Sequence, residues 1–225
     1  MTTQRILVMG DNHGNTESLE RVVADTEGEQ FDYVVHVGDL TNAHRDGSEE
    51  GAKQLQAVEP LLKTLADRSR HGLSYVFGNR DSWGDLDYDL SVGSHIPEDS
   101  FVTVGEQRFT QSPNLVTESD ILVTHGESAP MIDHFEGRAY FCGHTHIGRY
   151  KDKMLNSAFL YRDNSRAKTA MYGGYFVVEV TDSPPFEVDF RNLGGLDTTV
   201  CQTHQERGVL IAPEDYVCKY CWRPV

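Results

Sequence analysis

The sequence predicts a layered α/β fold, an αββα sandwich with mixed sheets, and three observations support this prediction. Strand-like and helix-like segments alternate through the first third of the chain, which is typical of parallel strands joined by crossover helices. After residue 79 the helical period weakens and short strand-like segments follow one another. Near the end, apolar and polar residues alternate with a period of two, as expected for antiparallel strands at a sheet edge.

The first five elements are defined by a hydrophobic period that changes from strand-like to helix-like and back. Residues 5–9, 33–37 and 73–77 are apolar runs that predict buried strands. Between these runs, residues 15–27 and 54–66 place leucines and valines at helical spacing. The order is therefore βαβαβ, for which parallel strands are expected.

The remaining two thirds of the chain predict short strands, one helix and a separate tail. The helix-like stretch covers residues 131–135, and the strand-like segments are residues 101–104, 107–110, 115–116, 121–124, 139–142, 158–162, 175–180 and 186–190. Proline and glycine pairs at residues 184–185 and 194–195 interrupt this pattern. We therefore expect one domain over residues 1–195 and a C-terminal appendage over residues 196–225.

Composition and charge exclude several classes of protein. Of the 225 residues, 38% are hydrophobic and 24% are charged, which is typical of a globular chain. No apolar run approaches the roughly 18 residues that span a bilayer, and the net charge of -15 opposes binding to duplex nucleic acid or to anionic membranes. The N-terminal residues lead directly into the first strand, without the regions of a signal peptide, and only four cysteines are present, so we expect a cytoplasmic protein.

Polar residues capable of binding metal follow directly after five of the predicted strands, each beside a glycine. These segments are Gly10-Asp11-Asn12-His13-Gly14, Gly38-Asp39, Gly78-Asn79-Arg80-Asp81, His125-Gly126 and Gly143-His144-Thr145-His146. Because the loops at the carboxyl ends of strands line one crevice in open α/β sheets, these side chains can converge. The glycines let the backbone turn sharply and let a ligand approach closely.

The converging set would contain two carboxylates, one carboxamide and four imidazoles. This mixture of oxygen and nitrogen donors suits a divalent ion such as Mn, Fe, Zn, Co or Ni, and it is too rich in nitrogen for Mg or Ca. Seven ligands are too many for one ion. If one carboxylate bridges, they divide into two sites of four ligands each, and two ions about 3.5–4 Å apart are known to promote in-line displacement at phosphorus.

The ordered succession of these segments resembles the signature of the calcineurin-like metallophosphoesterases, particularly the small archaeal and bacterial phosphodiesterases. The matching blocks are Asp11-x-His13, Gly38-Asp39, Gly78-Asn79, His125 and Gly143-His144-x-His146, which together cover about residues 6–147. Any one block is weak because such short pairs recur by chance, whereas the ordered set, each block behind a strand, is specific. The resemblance implies a four-layer αββα sandwich.

The resemblance also implies a role for each residue. One divalent ion would be held by Asp11, His13, Asp39 and His146, and the other by Asp39, Asn79, His125 and His144, which makes Asp39 the bridge. A hydroxide between the ions would attack phosphorus in line, because cations lower the pKa of bound water. The implied activity is that of a Mn-dependent phosphohydrolase, a phosphodiesterase rather than a monoesterase, acting on a phosphate-ester small molecule or a nucleotide.

One position departs from the family pattern. Many members carry His immediately after the motif Asn, whereas this chain has Arg80. A guanidinium can bind phosphate oxygens through two hydrogen bonds, but it is a poor proton donor. We therefore expect either substrates with a manageable leaving group or protonation through metal-bound water. Arg80 also favours the alternative that the chain is a non-catalytic protein-binding scaffold on the same fold, which the intact set of seven ligands opposes.

Several other polar residues remain open to two interpretations. Asn12 either contacts the substrate phosphate or only forms the turn, and Asp81 either orients Arg80 or caps the following turn. His36 lies inside a predicted strand and is expected to support the site or the core rather than to bind metal. The residues expected to be solvated are His44, His71, His95 and His134, and Cys142 is expected in the core.

The C-terminal tail carries a second pattern of metal-binding residues. Cys201-x-x-His204 and Cys218-x-x-Cys221 are two donor pairs separated by a short loop, which matches a closed tetrahedral Cys₃His zinc site. The alternative is three ordinary reduced thiols and a surface histidine. Basic and aromatic residues beside the second pair also admit a weak nucleic-acid-binding interpretation of the tail.

Overall fold

A computed structural model describes residues 3–82, 89–127, 135–157, 159–164 and 169–194. Within these residues the chain forms two six-stranded mixed sheets and one two-stranded sheet. The α/β sandwich that the sequence predicts is therefore confirmed. The predicted appendage over residues 196–225 lies outside the described residues, and so do residues 131–134 of the predicted helix.

The first sheet has the order β14-β13-β1-β2-β3-β4. Its strands are β1 (Gln4–Met9), β2 (Tyr33–His36), β3 (Leu73–Tyr75), β4 (Ser94–His95), β13 (Gly174–Val180) and β14 (Glu187–Asn192). Strands β1 to β4 lie parallel to one another, and β13 pairs antiparallel with both β1 and β14. The parallel βαβαβ opening and the antiparallel edge agree with the sequence prediction.

The second sheet has the order β5-β6-β7-β8-β10-β9. Its strands are β5 (Phe101–Val104), β6 (Gln107–Thr110), β7 (Ile121–Val123), β8 (Ala139–Cys142), β9 (Gly148–Lys151) and β10 (Met154–Ser157). The four central strands β6, β7, β8 and β10 are parallel, and an antiparallel strand closes each edge. A short hairpin of β11 (Tyr161–Asn164) and β12 (Thr169–Tyr172) follows.

The helices are α1 (Thr16–Asp25), α2 (Ala43–Asp46), α3 (Ser48–Asp67) and α4 (Asn79–Ser82). Helix α1 begins where the Asn15 side chain accepts a hydrogen bond from the Ser18 amide at 2.7 Å, an N-cap that satisfies an otherwise unpaired donor. Helices α1 and α3 place Leu19 and Leu62 against the outer face of the first sheet. None of the helices within the described residues is long and apolar enough to cross a bilayer.

The apolar residues form one layer between the two sheets and one layer on each outer face. Between the sheets, Val8 and Val35 from the first pack with Val123 and Phe141 from the second. The outer face of the second sheet carries a smaller cluster that includes Cys142, which is buried as predicted. Burial on both faces explains why the central strands are continuous apolar runs rather than alternating ones.

One predicted strand is wrong, a second is confirmed only in part, and several real strands were not predicted. Residues 115–116 form a turn and a coil, with the Leu115 amide donating to the Ser112 carbonyl at 3.1 Å. Of residues 159–162, only Tyr161 and Arg162 lie in a strand, and residue 158 lies outside the described residues. The strands β4, β9, β10 and β12 were missed because they are only two to four residues long, and such short segments carry little hydrophobic period.

Candidate metal centre

The two sheets bring all seven predicted ligands to one edge of the sandwich. Asp11 and His13 follow β1, Asp39 follows β2, and Asn79 begins α4 after β3. From the second sheet, His125 follows β7, and the pair His144 and His146 follows β8. Because both sheets direct the carboxyl ends of their parallel strands to this edge, residues far apart in sequence lie together.

The backbone at this edge adopts conformations that are rare for residues other than glycine. Five of the seven residues have positive φ angles, namely Asp11 (55°), His13 (49°), Asp39 (53°), His144 (68°) and His146 (56°). Such conformations cost roughly 1–3 kcal/mol each and persist only where the surroundings impose them. Backbone hydrogen bonds hold two of these residues, since the amides of Asp11 and His13 donate to the carbonyls of Gly38 and Asp39 at 2.9 and 3.0 Å.

Glycine is required at this edge because another chain segment lies in contact. A Cβ at Gly143 would lie 2.6 Å from Oδ2 of Asp11, the same oxygen that accepts a hydrogen bond from the His144 amide at 3.1 Å. A Cβ at Gly78 would overlap Oδ1 of Asp39. The glycines therefore permit the carboxylates of the first sheet to contact the loops that carry the other ligands.

Asp11, His13 and His146 form the first group of converging donor atoms. The Nε2 atoms of His13 and His146 lie 3.2 Å apart, and Nε2 of His146 lies 3.2 Å from Oδ1 of the fully buried Asp11. Among the described residues, Nδ1 of His13 has no hydrogen-bond partner although it is buried. Two imidazole nitrogens and a carboxylate oxygen facing one another are a donor set that a divalent cation fits.

Asp39, His125 and His144 form the second group, and Asn79 lies beside it. Nδ1 of His125 is 2.9 Å from the carbonyl oxygen of Val37, which can only accept, so Nδ1 carries a hydrogen and the neutral, metal-binding form of the imidazole has its lone pair on Nε2. That Nε2 atom lies 3.3 Å from Oδ1 of Asp39, 3.0 Å from Oδ1 of Asn79 and 3.2 Å from Nδ1 of His144. Lone pairs of several residues therefore converge, and one cation between them could be coordinated by all of them.

Asp39 lies between the two groups and contacts both. Its Oδ1 atom is 3.3 Å from Nε2 of His125, whereas its Oδ2 atom is 3.8 Å from Nδ1 of His13. The backbone amide of Arg80 donates to Oδ1 at 2.8 Å and fixes the orientation of the carboxylate. One oxygen thus faces each group, which is the arrangement that a bridging carboxylate needs.

The electrostatics of the cluster favour an anionic Asp11 and make protons compete with metal ions for the imidazoles. Burial raises the pKa of Asp11, but the contact with His146 and the surrounding imidazoles outweigh burial and hold it well below its usual value. Burial lowers the pKa of His125, yet the contact with Asp39 and the charge of Asp11 raise it to about 9. Burial is also the main reason that the pKa values of His13 and His144 are lowered. An ion bound at His125 would release its proton, because a ligating imidazole is neutral.

His36 and Asn12 form a buried hydrogen-bonded chain beneath the centre. Nδ1 of His36 accepts from the Gly38 amide at 3.2 Å, so Nε2 carries the hydrogen and donates to Oδ1 of Asn12 at 3.0 Å. Nδ2 of Asn12 in turn donates to the Leu40 carbonyl at 3.0 Å. Both side chains are fully buried, and His36 lies outside the two donor groups. The Asn12 side chain therefore helps to hold the turn, and its contact with the substrate phosphate stays a prediction.

His36 predicts a specific dependence of stability on pH. Burial lowers its pKa in the folded protein to about 3, whereas the unfolded chain takes up a proton below about 6.5. The free energy of unfolding should therefore fall as the pH drops from about 6.5 towards 3, by up to about 1.4 kcal/mol per pH unit. Urea unfolding of chelator-treated protein should show a shallower pH dependence for His36→Gln than for the wild type, and equal slopes would contradict this assignment.

Sequence reasoning missed a group of polar residues beneath the loop that carries His144 and His146. Asn156, at the end of β10, donates to the Gly143 carbonyl at 3.1 Å, to Oγ1 of Thr145 at 2.9 Å and to Oε1 of Glu127 at 3.1 Å. Glu127 also pairs with Arg149 at 3.0 Å. The only signal was a polar pair ending an apolar run at residues 156–157, since β10 itself was not predicted.

Arg80 and the histidines outside the two donor groups differ in their exposure and contacts. Arg80 is half-buried, and its positive charge adds to the burial that lowers the pKa of His13, so its guanidinium lies in the field of the cluster. His44 is exposed, whereas His71 stacks on Tyr33 with 4.8 Å between ring centroids and His95 contacts two aromatic rings. The candidates outside the described residues are His134, Cys201, His204, Cys218 and Cys221.

Several solved structures are similar to this chain. A predicted phosphoesterase from Streptococcus pneumoniae is 23% identical, with 86% of this chain and 91% of that chain covered at a TM-score of 0.47. A protein from Thermus thermophilus is 12% identical, with 85% and 100% covered at a TM-score of 0.53, and it supports the fold. An archaeal phosphodiesterase is 16% identical, with 83% and 99% covered at a TM-score of 0.45.

The sequence was also compared with protein families and with curated proteins. No curated protein matches it. The profile of the calcineurin-like phosphoesterase superfamily domain matches residues 5–162, a segment that includes every residue of the two donor groups. The resemblance seen in the five sequence blocks is thereby confirmed, and this chain belongs to the calcineurin-like phosphoesterase superfamily.

Proposed function

We propose that this chain is a phosphodiesterase that depends on two divalent metal ions sharing the carboxylate of Asp39. The observation that carries the proposal is the convergence of acceptor atoms around Nε2 of His125. In the neutral imidazole, the Nε2 lone pair faces oxygens of Asp39 and Asn79 at 3.3 and 3.0 Å, an arrangement that a cation in place of the proton stabilises. Membership of the superfamily supports the phosphoesterase reaction class, and the choice of a diester is our proposal.

Each donor group would hold one ion. The first ion would be held by Asp11, His13, Asp39 and His146, and the second by Asp39, Asn79, His125 and His144. The opposite orientation of the two Asp39 oxygens supports the shared role of this residue. We propose Mn as the ion used, because it suits a site of mixed oxygen and imidazole ligands. The same ligands also suit Fe, Zn, Co and Ni.

The protein's own groups would orient the ligands and the substrate. When bound, the ions supply Lewis acidity, which activates water and neutralises charge on the phosphoryl oxygens. The Val37 carbonyl fixes the tautomer of His125, the His144 amide holds Asp11, and the Arg80 amide holds Asp39. The guanidinium of Arg80 would bind a phosphoryl oxygen as a charged hydrogen-bond donor.

The absence of histidine at position 80 bears on the substrate. Arg80 cannot readily give a proton to the departing oxygen, and the general acid–base assistance it forgoes is typically worth about 10²–10⁴ in rate. We therefore propose a phosphate-ester small molecule or nucleotide whose leaving group departs without a protein proton donor. A diester with an acidic leaving group satisfies this requirement.

Metal removal and restoration test the proposal. Purified full-length protein should contain, or take up, two equivalents of Mn²⁺, and it should hydrolyse bis-p-nitrophenyl phosphate. Chelation should abolish this activity and Mn²⁺ should restore it, with p-nitrophenyl phosphate cleaved more slowly. Protein that binds two ions but cleaves no ester would favour the non-catalytic scaffold instead. Protein that binds no ion would contradict the metal centre itself.

A structural zinc ion in the tail stays a separate prediction. Its four proposed ligands, Cys201, His204, Cys218 and Cys221, lie outside the described residues, and their support is the spacing of the donor pairs. The proposed catalytic centre does not depend on this zinc ion, because all seven of its ligands lie in residues 11–146.

A further inference from the structure

Asp81 is a buried carboxylate next to the metal centre that faces neither Arg80 nor solvent. It is only 1% exposed, and its two oxygens accept four hydrogen bonds. The donors are the amides of Leu40 (3.1 Å), Thr41 (2.7 Å) and Gly78 (2.9 Å) and the hydroxyl of Thr41 (2.7 Å). Only the bond from Gly78 is a local cap, because the other three come from residues about 40 positions back along the chain.

The donors belong to the two loops that carry the shared and the second-site ligands. Leu40 and Thr41 directly follow Asp39, and Gly78 directly precedes Asn79. We propose, on the basis of the function proposed above, that Asp81 is a positioning residue that fixes the loop of Asp39 against the loop of Asn79. Asp81 thereby sets the separation of two ligands of the same ion while touching neither ion nor substrate.

A carboxylate is needed for this task because every group that faces it is a donor. Oδ2 accepts from the amides of Leu40 and Gly78, and Oδ1 accepts from the amide and hydroxyl of Thr41. An asparagine would offer only one acceptor oxygen, and its NH₂ group would face two donors. With the NH₂ group at the Oδ2 position, the bonds from Leu40 and Gly78 are lost and with them the link to the loop of Asn79. With the NH₂ group at the Oδ1 position, both bonds from Thr41 are lost and the loop of Asp39 is held by the Leu40 amide alone.

The chain offers a matched control at Asp120. This carboxylate is also fully buried and also accepts hydrogen bonds from a threonine amide and hydroxyl, those of Thr117, at 2.8 and 2.7 Å. Its other donor is the guanidinium of Arg108. Asp120 precedes β7, whereas His125 follows β7, so the two carboxylates lie at opposite ends of the sandwich. We therefore expect Asp120→Asn to lower the stability of the fold without changing the geometry of the metal pair.

The test compares Mn²⁺ binding by the full-length wild type, Asp81→Asn and Asp120→Asn. Affinity is measured by competition with a chromogenic chelator, and the geometry of the pair by the EPR spectrum of the Mn²⁺-loaded protein. We expect Asp81→Asn to weaken binding of one equivalent by about 10–100-fold and to change the spectrum of the pair. Asp120→Asn should keep the affinity and the spectrum of the wild type even where it lowers the unfolding midpoint.

The outcomes separate this inference from the function on which it rests. A wild type that binds two ions, with an Asp81→Asn variant that binds them as tightly, overturns the positioning role alone. A wild type that binds no pair of ions overturns the proposed function and this inference with it. If Asp81→Asn does not fold, Thr41→Val decides, because it removes one donor and should weaken binding by about two- to tenfold. Unchanged binding by a folded Thr41→Val would then overturn the inference.

Discussion

Replacing Asp39 by asparagine is expected to reduce diesterase activity by about a thousandfold, which corresponds to roughly 4 kcal/mol of transition-state stabilisation. The reason is that Asp39 is the residue whose two oxygens face both donor groups, at 3.3 Å from His125 and 3.8 Å from His13. An amide retains one oxygen and replaces the other by an NH₂ group, which cannot bind a cation. Steady-state kinetics at saturating Mn²⁺, together with the number of bound ions, measure the effect.

The Asp39→Asn experiment needs a control for simple destabilisation. Asp120→Asn removes a carboxylate of equal burial at the far end of β7, and it should retain both ions and most of the activity at a temperature where it is folded. An Asp39→Asn variant that still binds two ions and turns over at the wild-type rate would show that the carboxylate is not shared.

Replacing Arg80 by alanine is expected to lower kcat/KM for diesters by about 10- to 100-fold while leaving the metal content unchanged. A hydrogen bond to a charged group contributes roughly 1.5–3 kcal/mol, and this range corresponds to that loss of rate. The Arg80 side chain belongs to neither donor group within the described part of the chain. The hydrogen bond from Arg80 to Asp39 comes from its backbone amide, which an alanine retains. Arg80→Lys should recover part of the rate, because an ammonium retains the charge but not the two-pronged geometry.

The leaving group gives a second measurement at the same position. If Arg80 supplies no proton, the wild-type rate should fall steeply as the pKa of the leaving alcohol rises across a series of aryl diesters. Arg80→His should make this dependence shallower, because imidazole can donate a proton near neutral pH. Unchanged kcat/KM for Arg80→Ala on every cleavable ester would remove Arg80 from the mechanism.

The proposed ligands were predictable from sequence because each is tied to a local pattern. Asp11 and Asp39 follow apolar runs that form central parallel strands, and His125 and His144 follow equally apolar runs in the second sheet. Adjacent parallel strands end at the same edge of a sheet, so residues after several such runs are neighbours whichever strand order the fold adopts. The positive φ angles of this edge also leave a trace in the sequence, because Asp, His and Gly tolerate them best.

The groups that hold these residues in place were not predictable in the same way. Asp81 was open to two interpretations, and its actual partners, Leu40 and Thr41, are about 40 residues away. Asn156 supports the loop after β8 only because β10 pairs parallel with β8, a pairing that no local period indicated. A hydrogen bond made by a backbone group cannot be predicted from the residue type at that position, because every residue has the same carbonyl and every residue except proline has the same amide.

The sequence by itself determined the family of this protein, the layered class of its fold and the identity of the donor residues, because hydrophobic period and donor chemistry are local properties. The tertiary structure alone decided that the two sheets direct their carboxyl ends to one edge, that Asp39 turns one oxygen to each donor group, and that Asn12 and His36 are bonded to each other inside the protein. These features depend on which segments pack together, and packing is fixed by the whole chain rather than by any window of it.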